Sequence, residues 1–147
     1  MSWPLQELTA DQVDGINARV IIDMRRKDTA CQQKHVLVNS AGLQSCLGGV
    51  FYQSVQGYAH IPLEKIAGML LYRLAQGQYF LDGNKRTAIA SCFYFLANNG
   101  HSLRTDRKTV NDLLWGFARS EVDPSAPARY DIGDAIQFVF DNITPRA

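Results

Sequence analysis

Apolar side chains recur at helical spacing over most of the 147-residue chain. In the first such segment they lie every three or four positions from Val13 to Met24. Thr9 and Gln12 have the types and spacing of a capping box, and the cations at residues 25–27 suit the negative end of a helix dipole. These patterns predict a first helix that begins at Thr9 and ends at those cations.

Five more segments show the same spacing and are separated by glycine, proline or short polar stretches. The second is expected to stop at Gly48-Gly49, and the third to end at Gly77 in a left-handed conformation. The fourth is apolar on nearly all sides, which is typical of the central helix of a bundle. The predicted helices after the first cover about 39–47, 62–76, 84–99, 105–117 and 130–141.

The residues from Val50 to Tyr58 are richer in β-favouring types than their neighbours. This composition predicts a small hairpin or an irregular loop between the second and third helices. Phe51 and Tyr52 within it either pack on the core or face a partner, and the sequence leaves both alternatives open.

Composition limits both the fold and the function. A chain of this length with 46% hydrophobic residues can bury one core, so we predict a single all-α domain over residues 1–147, a bundle of about six helices. Fifteen basic and fourteen acidic residues argue against general binding to nucleic acids or membrane surfaces. No stretch has the length of a membrane span and the chain has no basic start, so we expect a cytosolic protein. The three widely spaced cysteines suggest neither a disulfide framework nor a zinc site.

The connection between the third and fourth predicted helices, residues 78–87, concentrates unlike chemical groups. Asp82, Gly83, Asn84, Lys85 and Arg86 are consecutive. The glycine lets backbone approach a ligand, and the cations and free N–H groups of the following helix attract a phosphate. Asp82 could hold the divalent metal that accompanies phosphates. Alternatively, Asp82 and Asn84 only cap the helix and both cations are solvated.

The run Asp82-Gly83-Asn84-Lys85-Arg86-Thr87-Ala88, with Phe80 two residues before the aspartate, resembles the signature loop of the Fic/Doc family. Residues 70–75 and 95–100 resemble the helices that hold that loop, and the resemblance runs from about Ser40 to Glu121. The lysine stands where AMP-transferring Fic relatives usually have glycine, which is similar to the Doc (death-on-curing) branch.

The resemblance implies a helical fold with a small β flap, and a toxin-type activity of the kind found in toxin-antitoxin pairs. The reaction would transfer a phosphoryl or AMP group from ATP, or another nucleotide, to a hydroxyl of a protein target. A translation factor is the known target class of Doc. In this arrangement Asp82 binds Mg²⁺, while the Gly83 backbone, Asn84, Lys85 and Arg86 contact the phosphates. Lys85 in place of glycine favours transfer of a phosphoryl group over AMP.

By the same resemblance the flap corresponds to residues 49–58. Val50, Phe51 and Tyr52 would dock the extended chain of the target by β-augmentation. The sequence has no Ser/Thr-x-x-x-Glu-Gly/Asn segment of the kind that self-inhibits many Fic proteins. We therefore expect that a separate antitoxin protein restrains the toxin.

Gln78 departs from the family pattern, because the family has a histidine at this catalytic position. That histidine takes a proton from the target hydroxyl, whereas a glutamine amide forms hydrogen bonds but does not titrate. Loss of a general base typically costs about 10²–10⁴ in rate. A degenerate homologue, an inactivating substitution and a changed reaction all stay open, as does a non-catalytic module that binds a nucleotide or a partner.

Overall fold

Six α-helices and one small sheet make up the part of the chain that the computed structural model describes, namely residues 5–55, 61–122 and 130–146. The predicted all-α class, with six helices and a small antiparallel β element, is confirmed. In chain order the elements are α1 (Ala10–Lys27), α2 (Ser40–Val55), α3 (Leu63–Gln76), α4 (Asn84–Asn98), β1 (His101–Leu103), α5 (Arg107–Val122), α6 (Ile132–Asn142) and β2 (Ile143–Pro145).

Local sequence determines both ends of α1. The Thr9 hydroxyl accepts a hydrogen bond from the Gln12 backbone N–H, and the Thr9 backbone N–H donates to the Gln12 side chain. This reciprocal pair satisfies N–H groups that the first turn of a helix leaves free. Cations occupy the last turn, where the helix dipole favours them. The predicted bounds of this helix are confirmed.

The central helix is α3, and not α4 as the spread of apolar residues around α4 predicts. It packs against α2, α4, α5 and α6, whereas α4 packs against α3, α1 and β1 and leaves Phe93 and Tyr94 partly exposed. Close approach of α3 to α6 requires Gly68, since a Cβ there would lie only 2.5 Å from the Ile136 Cα atom. Gly77 follows α3 with a φ of −76°, so the predicted left-handed end is wrong. A glycine is needed there because the Tyr79 ring covers its Cα.

The predicted stop of the second helix at Gly48-Gly49 is also wrong, because α2 continues to Val55. Both glycines face open space and neither has a positive φ. They weaken a helix by about 1 kcal/mol each relative to alanine, but they do not end it. The buried side chains of α2 keep helical spacing across the glycines: they are Leu43, Cys46, Leu47, Val50 and Phe51.

The helical course of α2 also corrects the predicted hairpin over its last residues. Val50 and Phe51 are 1% and 3% exposed and belong to the core, so they are not accessible to a target, whereas Tyr52 is 59% exposed. The rest of the predicted flap, residues 56–60, lies outside the described residues. The sheet forms elsewhere: β1 after α4 pairs in antiparallel fashion with β2 after α6.

One hydrophobic core receives side chains from all six helices and from β1. No helix in the described ranges combines the length and the apolar character that crossing a membrane requires.

Candidate functional site

Residues 78–87, called the signature loop below, run from the connection after α3 into the first turn of α4 and are closed by one amide side chain. Asn84 Oδ1 accepts a hydrogen bond from the Phe80 N–H at 3.0 Å, and Asn84 Nδ2 donates to the Phe80 carbonyl at 2.8 Å. Phe80 is 3% exposed and anchors the loop in the core. Both functions of the Asn84 amide are therefore used to shape the loop.

A second chain segment, residues 36–39, lies along the first half of the loop. The N–H groups of Val38 and Asn39 donate to the Tyr79 carbonyl at 2.8 and 3.1 Å, and the Leu81 N–H donates to the Val36 carbonyl at 2.9 Å. These bonds pair the two segments in antiparallel fashion around Phe80. The backbone of the loop is thus held as part of a short ladder.

Asn17 of α1 holds the second half of the loop through a fully buried amide. Its Nδ2 donates to the Asp82 carbonyl and to Thr87 Oγ1, both at 2.9 Å. Its Oδ1 lies 2.7 Å from His35 Nδ1, which carries the hydrogen because Oδ1 can only accept. His35 Nε2 in turn lies 3.2 Å from a carboxylate oxygen of Asp14. One buried side chain therefore links α1, the loop and the residues after α1.

Gly83 precedes α4 and has a φ of +79°, a conformation that side chains disfavour. A Cβ at this position would also lie 3.2 Å from Ile21 Cδ1 and 3.3 Å from Asn17 Nδ2, so the glycine is needed for close contact with α1. No side chain caps α4. The Thr87 N–H donates to the Gly83 carbonyl at 2.9 Å, whereas the N–H groups of residues 84–86 have no intrahelical acceptor and can bind an anion.

The loop lines a cavity of about 410 Å³, called the loop cavity below. It brings together all the signature-loop residues that the sequence predicted, but not the three predicted flap residues. An adjoining cavity of about 340 Å³ shares three of its lining residues: Met24, Gln33 and Arg86. The described residues around the loop cavity are Met24, Gln33, Ala75, Gln78, Leu81, Asp82, Gly83, Asn84, Lys85, Arg86 and Trp115.

The two cations of the loop cavity, Lys85 and Arg86, have no carboxylate partner within 4.0 Å among the described residues. Lys85 Nζ instead lies 5.1 Å from the centre of the Trp115 ring, at cation–π distance. Two cations and an uncapped helix N-terminus on one cavity favour an anionic ligand.

Asp82 is the one carboxylate among the described residues that line the loop cavity. Its Oδ2 accepts a hydrogen bond from the Lys34 N–H at 2.9 Å, which orients the carboxylate, and its Oδ1 accepts none from the described residues. No group of three or more histidine, cysteine or carboxylate side chains in the described ranges could hold a metal ion. A cation at Asp82 would therefore take its other ligands from phosphate oxygens and water, as Mg²⁺ commonly does.

Tyr79 borders a third cavity of about 500 Å³, on the α2 and α3 side of the loop. Burial, and then a hydrogen bond with the Cys46 thiol, raise the pKa of Tyr79 to about 12. Burial likewise raises the pKa of the Cys46 thiol, against smaller opposing effects from Tyr79 and Arg73. Gln78 and its neighbour Tyr79 thus line different cavities.

Several residues of the site were not predicted from the sequence. Asn17, Met24, Gln33 and Trp115 lie far from the loop along the chain, and nothing in the helical spacing around them distinguishes them from ordinary surface or core positions. Gln78, which was predicted, is exposed in the loop cavity.

Similarity to known proteins identifies the family of the chain. No curated protein matches the chain. The model of the Fic/DOC family matches residues 7–96, a range that runs from the start of α1 through the signature loop and most of α4. This range is more than half of the sequence. The chain therefore belongs to the Fic/DOC family.

Proposed function

We propose that the chain is a Doc-like, toxin-type transferase that acts in the cytosol. It transfers a phosphoryl or AMP group from ATP, with Mg²⁺, to a hydroxyl of a protein target such as a translation factor, and a separate antitoxin protein restrains it. The observation that carries the proposal is the loop cavity, where Lys85, Arg86 and the uncapped start of α4 meet and neither cation forms an ion pair with a described residue.

These groups suit a nucleoside triphosphate. The free N–H groups at the start of α4 and the two cations stabilise negative charge on the phosphates. The αL conformation of Gly83 directs the chain into the first turn of α4, which carries these N–H groups. Asp82, oriented by the Lys34 N–H, contributes the one carboxylate that Mg²⁺ needs beside phosphate oxygens. Mg²⁺, when bound, neutralises charge that develops on the phosphates.

Lys85 supports phosphoryl transfer over AMP transfer. Its side chain occupies the cavity wall beside Trp115, where a glycine would leave space for another phosphate. A Doc-like lysine therefore favours placing the terminal phosphate, and not the first one, against the acceptor hydroxyl.

Gln78 impairs the transfer in this proposal. Its amide is exposed in the loop cavity and can hold a target hydroxyl by a hydrogen bond, but it cannot accept the proton as a base. No histidine lines the cavity within the ranges that the structure covers. We expect a rate about 10²–10⁴ below that of a chain with histidine at this position.

The same glutamine favours a second candidate function, a non-catalytic module that binds a nucleotide through the loop and a protein partner elsewhere. Asp82 is the only described carboxylate in the cavity, and its Oδ2 already accepts the Lys34 N–H. Without a base, binding can persist while transfer is lost.

Expression of the unaltered chain beside a Gln78→His variant tests both functions. We expect the histidine form to arrest growth and to leave a phosphoryl-sized or AMP-sized mass increase on a target protein. Gln44→His, an exposed substitution on α2, is the matched control and should do neither. Equal modification by the unaltered and Gln78→His forms would contradict the assigned role of Gln78. Modification by neither form, with nucleotide binding retained, would favour the binding module.

A further inference from the structure

We propose that Trp115 is the stacking surface for the base of the bound nucleotide. This inference rests on the proposed function, since it takes the ligand of the loop cavity to be a nucleotide, and it adds the residue that binds its uncharged end. Trp115 lies on α5, outside the signature loop, and is the only aromatic residue among the described residues that line the loop cavity.

The Trp115 side chain does little for the core. It is 63% exposed, whereas its helical neighbours Leu114 and Phe117 are 5% and 1% exposed and supply the apolar face of α5. An indole left in water at the edge of a cavity retains its capacity to bury apolar area and to stack with a flat ring. Because Trp115 lies at the rim of the loop cavity, a ligand in the cavity can contact the indole ring.

The contact between Lys85 and Trp115 connects this surface with the anionic part of the site. Lys85 belongs to the turn that faces phosphate, and its Nζ lies 5.1 Å from the centre of the indole ring. The cavity can therefore bind the anionic group and the flat aromatic ring of one ligand side by side. Nucleotides carry both groups on one molecule, whereas inorganic phosphates lack the ring.

The adjoining cavity is the other place where a base could lie. Among the described residues, its lining beyond the shared ones consists of Lys27, Asp28, Cys31 and Gln32, none of which is aromatic. Stacking strength therefore favours the Trp115 side, because a base–aromatic contact is worth roughly 5- to 150-fold in affinity.

Titration calorimetry with the full chain and Mg²⁺ tests the assignment, with ATP and inorganic tripolyphosphate as paired probes. We expect Trp115→Ala to weaken ATP binding by roughly 5- to 150-fold. Tripolyphosphate, which has no base, should bind unchanged or more tightly, because Lys85 no longer rests on the indole. Trp115→Phe should keep most of the ATP affinity, and Cys31→Ala, in the adjoining cavity, should keep all of it.

Fluorescence gives a second measurement. The chain has two tryptophans, Trp3 and Trp115, so a Trp3→Phe chain reports on Trp115 alone. ATP should change its emission more than tripolyphosphate does at matched saturation.

Four outcomes would overturn the inference, and they have different consequences for the proposed function. If Trp115→Ala binds ATP as tightly as the parent, or if Cys31→Ala weakens ATP instead, the base lies elsewhere and the nucleotide site stands. If Trp115→Ala weakens ATP and tripolyphosphate equally, Trp115 only supports Lys85. If the unaltered chain binds neither probe, the nucleotide site itself is wrong and the proposed function fails with it.

Discussion

Asn17 shows how one residue can hold a loop that lies far from it in the sequence. Its amide spans from α1 to both the Asp82 carbonyl and the Thr87 hydroxyl, across 65 and 70 positions of the chain. Because the side chain is fully buried, these groups have no water to replace a lost partner. The amide therefore sets the distance between α1 and the start of α4.

Replacing Asn17 with alanine should destabilise the protein by roughly 1–3 kcal/mol, since it leaves the buried Thr87 hydroxyl and the partly buried Asp82 carbonyl without this partner. Urea unfolding followed by circular dichroism measures the change. Asn111→Ala is the matched control, because that asparagine is exposed on α5, and it should be neutral or slightly stabilising. Equal effects of the two substitutions would mean that the Asn17 hydrogen bonds contribute nothing.

Asn84 gives a second prediction, since its amide shapes the loop through Phe80. Asn84→Asp keeps the size of the side chain but replaces the donor to the Phe80 carbonyl by a second acceptor. We expect a loss of roughly 1–3 kcal/mol in the free energy of unfolding. The added negative charge should also weaken ATP binding at the start of α4. Calorimetry and urea unfolding on the same preparations would measure both. An unchanged unfolding midpoint would show that the two hydrogen bonds to Phe80 do not hold the loop.

The signature loop could be predicted residue by residue, because Asp82 to Arg86 are consecutive and their chemistry is visible in the sequence alone. The role of Asn84 could not, since its partner is the backbone of Phe80 and a side-chain type does not identify the atom that it bonds. Asn17 and Trp115 could not be predicted for a different reason. Each reaches the loop only through the packing of α1 or α5, which no local pattern encodes.

At the scale of elements, glycines have different structural roles in α2 and before α4. Gly48 and Gly49 resemble a stop, but they lie inside the helix with ordinary negative φ and open space where a Cβ would be. Gly83 resembles a flexible loop residue, but its positive φ and its contact with α1 make it a fixed point. The same residue type therefore has opposite consequences in the two elements.

Gly48→Ala and Gly49→Ala should each stabilise the protein by about 0.5–1 kcal/mol, because alanine restricts the unfolded chain and fits the helix. Gly83→Ala should destabilise it, since alanine would be strained at φ +79° and would press on Ile21. The thermal unfolding midpoints of the three variants show whether residues 48–49 are helical, where alanine stabilises, or form a turn, where alanine destabilises. Destabilisation by either of the first two substitutions would restore the originally predicted break there.

The elements that the sequence predicted best are those with local determinants. The capping box of Thr9 and Gln12 located the start of α1, because all its atoms lie within one turn. The pairing of β1 with β2 joins His101 to Pro145 and has no local signature, since each strand has three residues. The end of α2 was missed because Gly48-Gly49 resembles a stop and β-favouring residue types follow it, although the helical spacing is unbroken.

At the scale of the whole molecule, helical periodicity was enough for the fold class, but it could not rank the helices. The sequence predicts α4 at the centre because apolar residues are spread around it, yet α3 is the more apolar helix and packs against more elements. One reason is geometric: Gly68 lets α6 approach α3 closely, and the spread of apolar residues around a helix does not measure how near a neighbour can come. The site depends on this arrangement, because α3 and α4 carry the two ends of the signature loop.

The stability of the whole molecule should fall in alkaline solution. Burial raises the pKa of three weak acids, Cys46, Tyr79 and Cys92, and the values for Tyr79 and Cys92 reach about 12. The unfolded chain loses these protons near the ordinary values of 9.0 for thiols and 10.0 for the phenol. Above those values the unfolded state binds fewer protons than the folded state, so the free energy of unfolding decreases with rising pH.

Tyr79→Phe tests the phenol's share of this decrease. The stabilisation by Tyr79 is fully present below pH 10.0 and is lost as the pH rises towards about 12. A chain with phenylalanine cannot ionise there, so its unfolding free energy should fall less steeply than that of the parent over this interval. Urea titrations across the interval measure the slopes, and Tyr94→Phe, at an exposed position on α4, should keep the parent slope. Identical slopes for parent and Tyr79→Phe would show that the phenol has the same pKa in the folded and unfolded states, so that burial does not raise it.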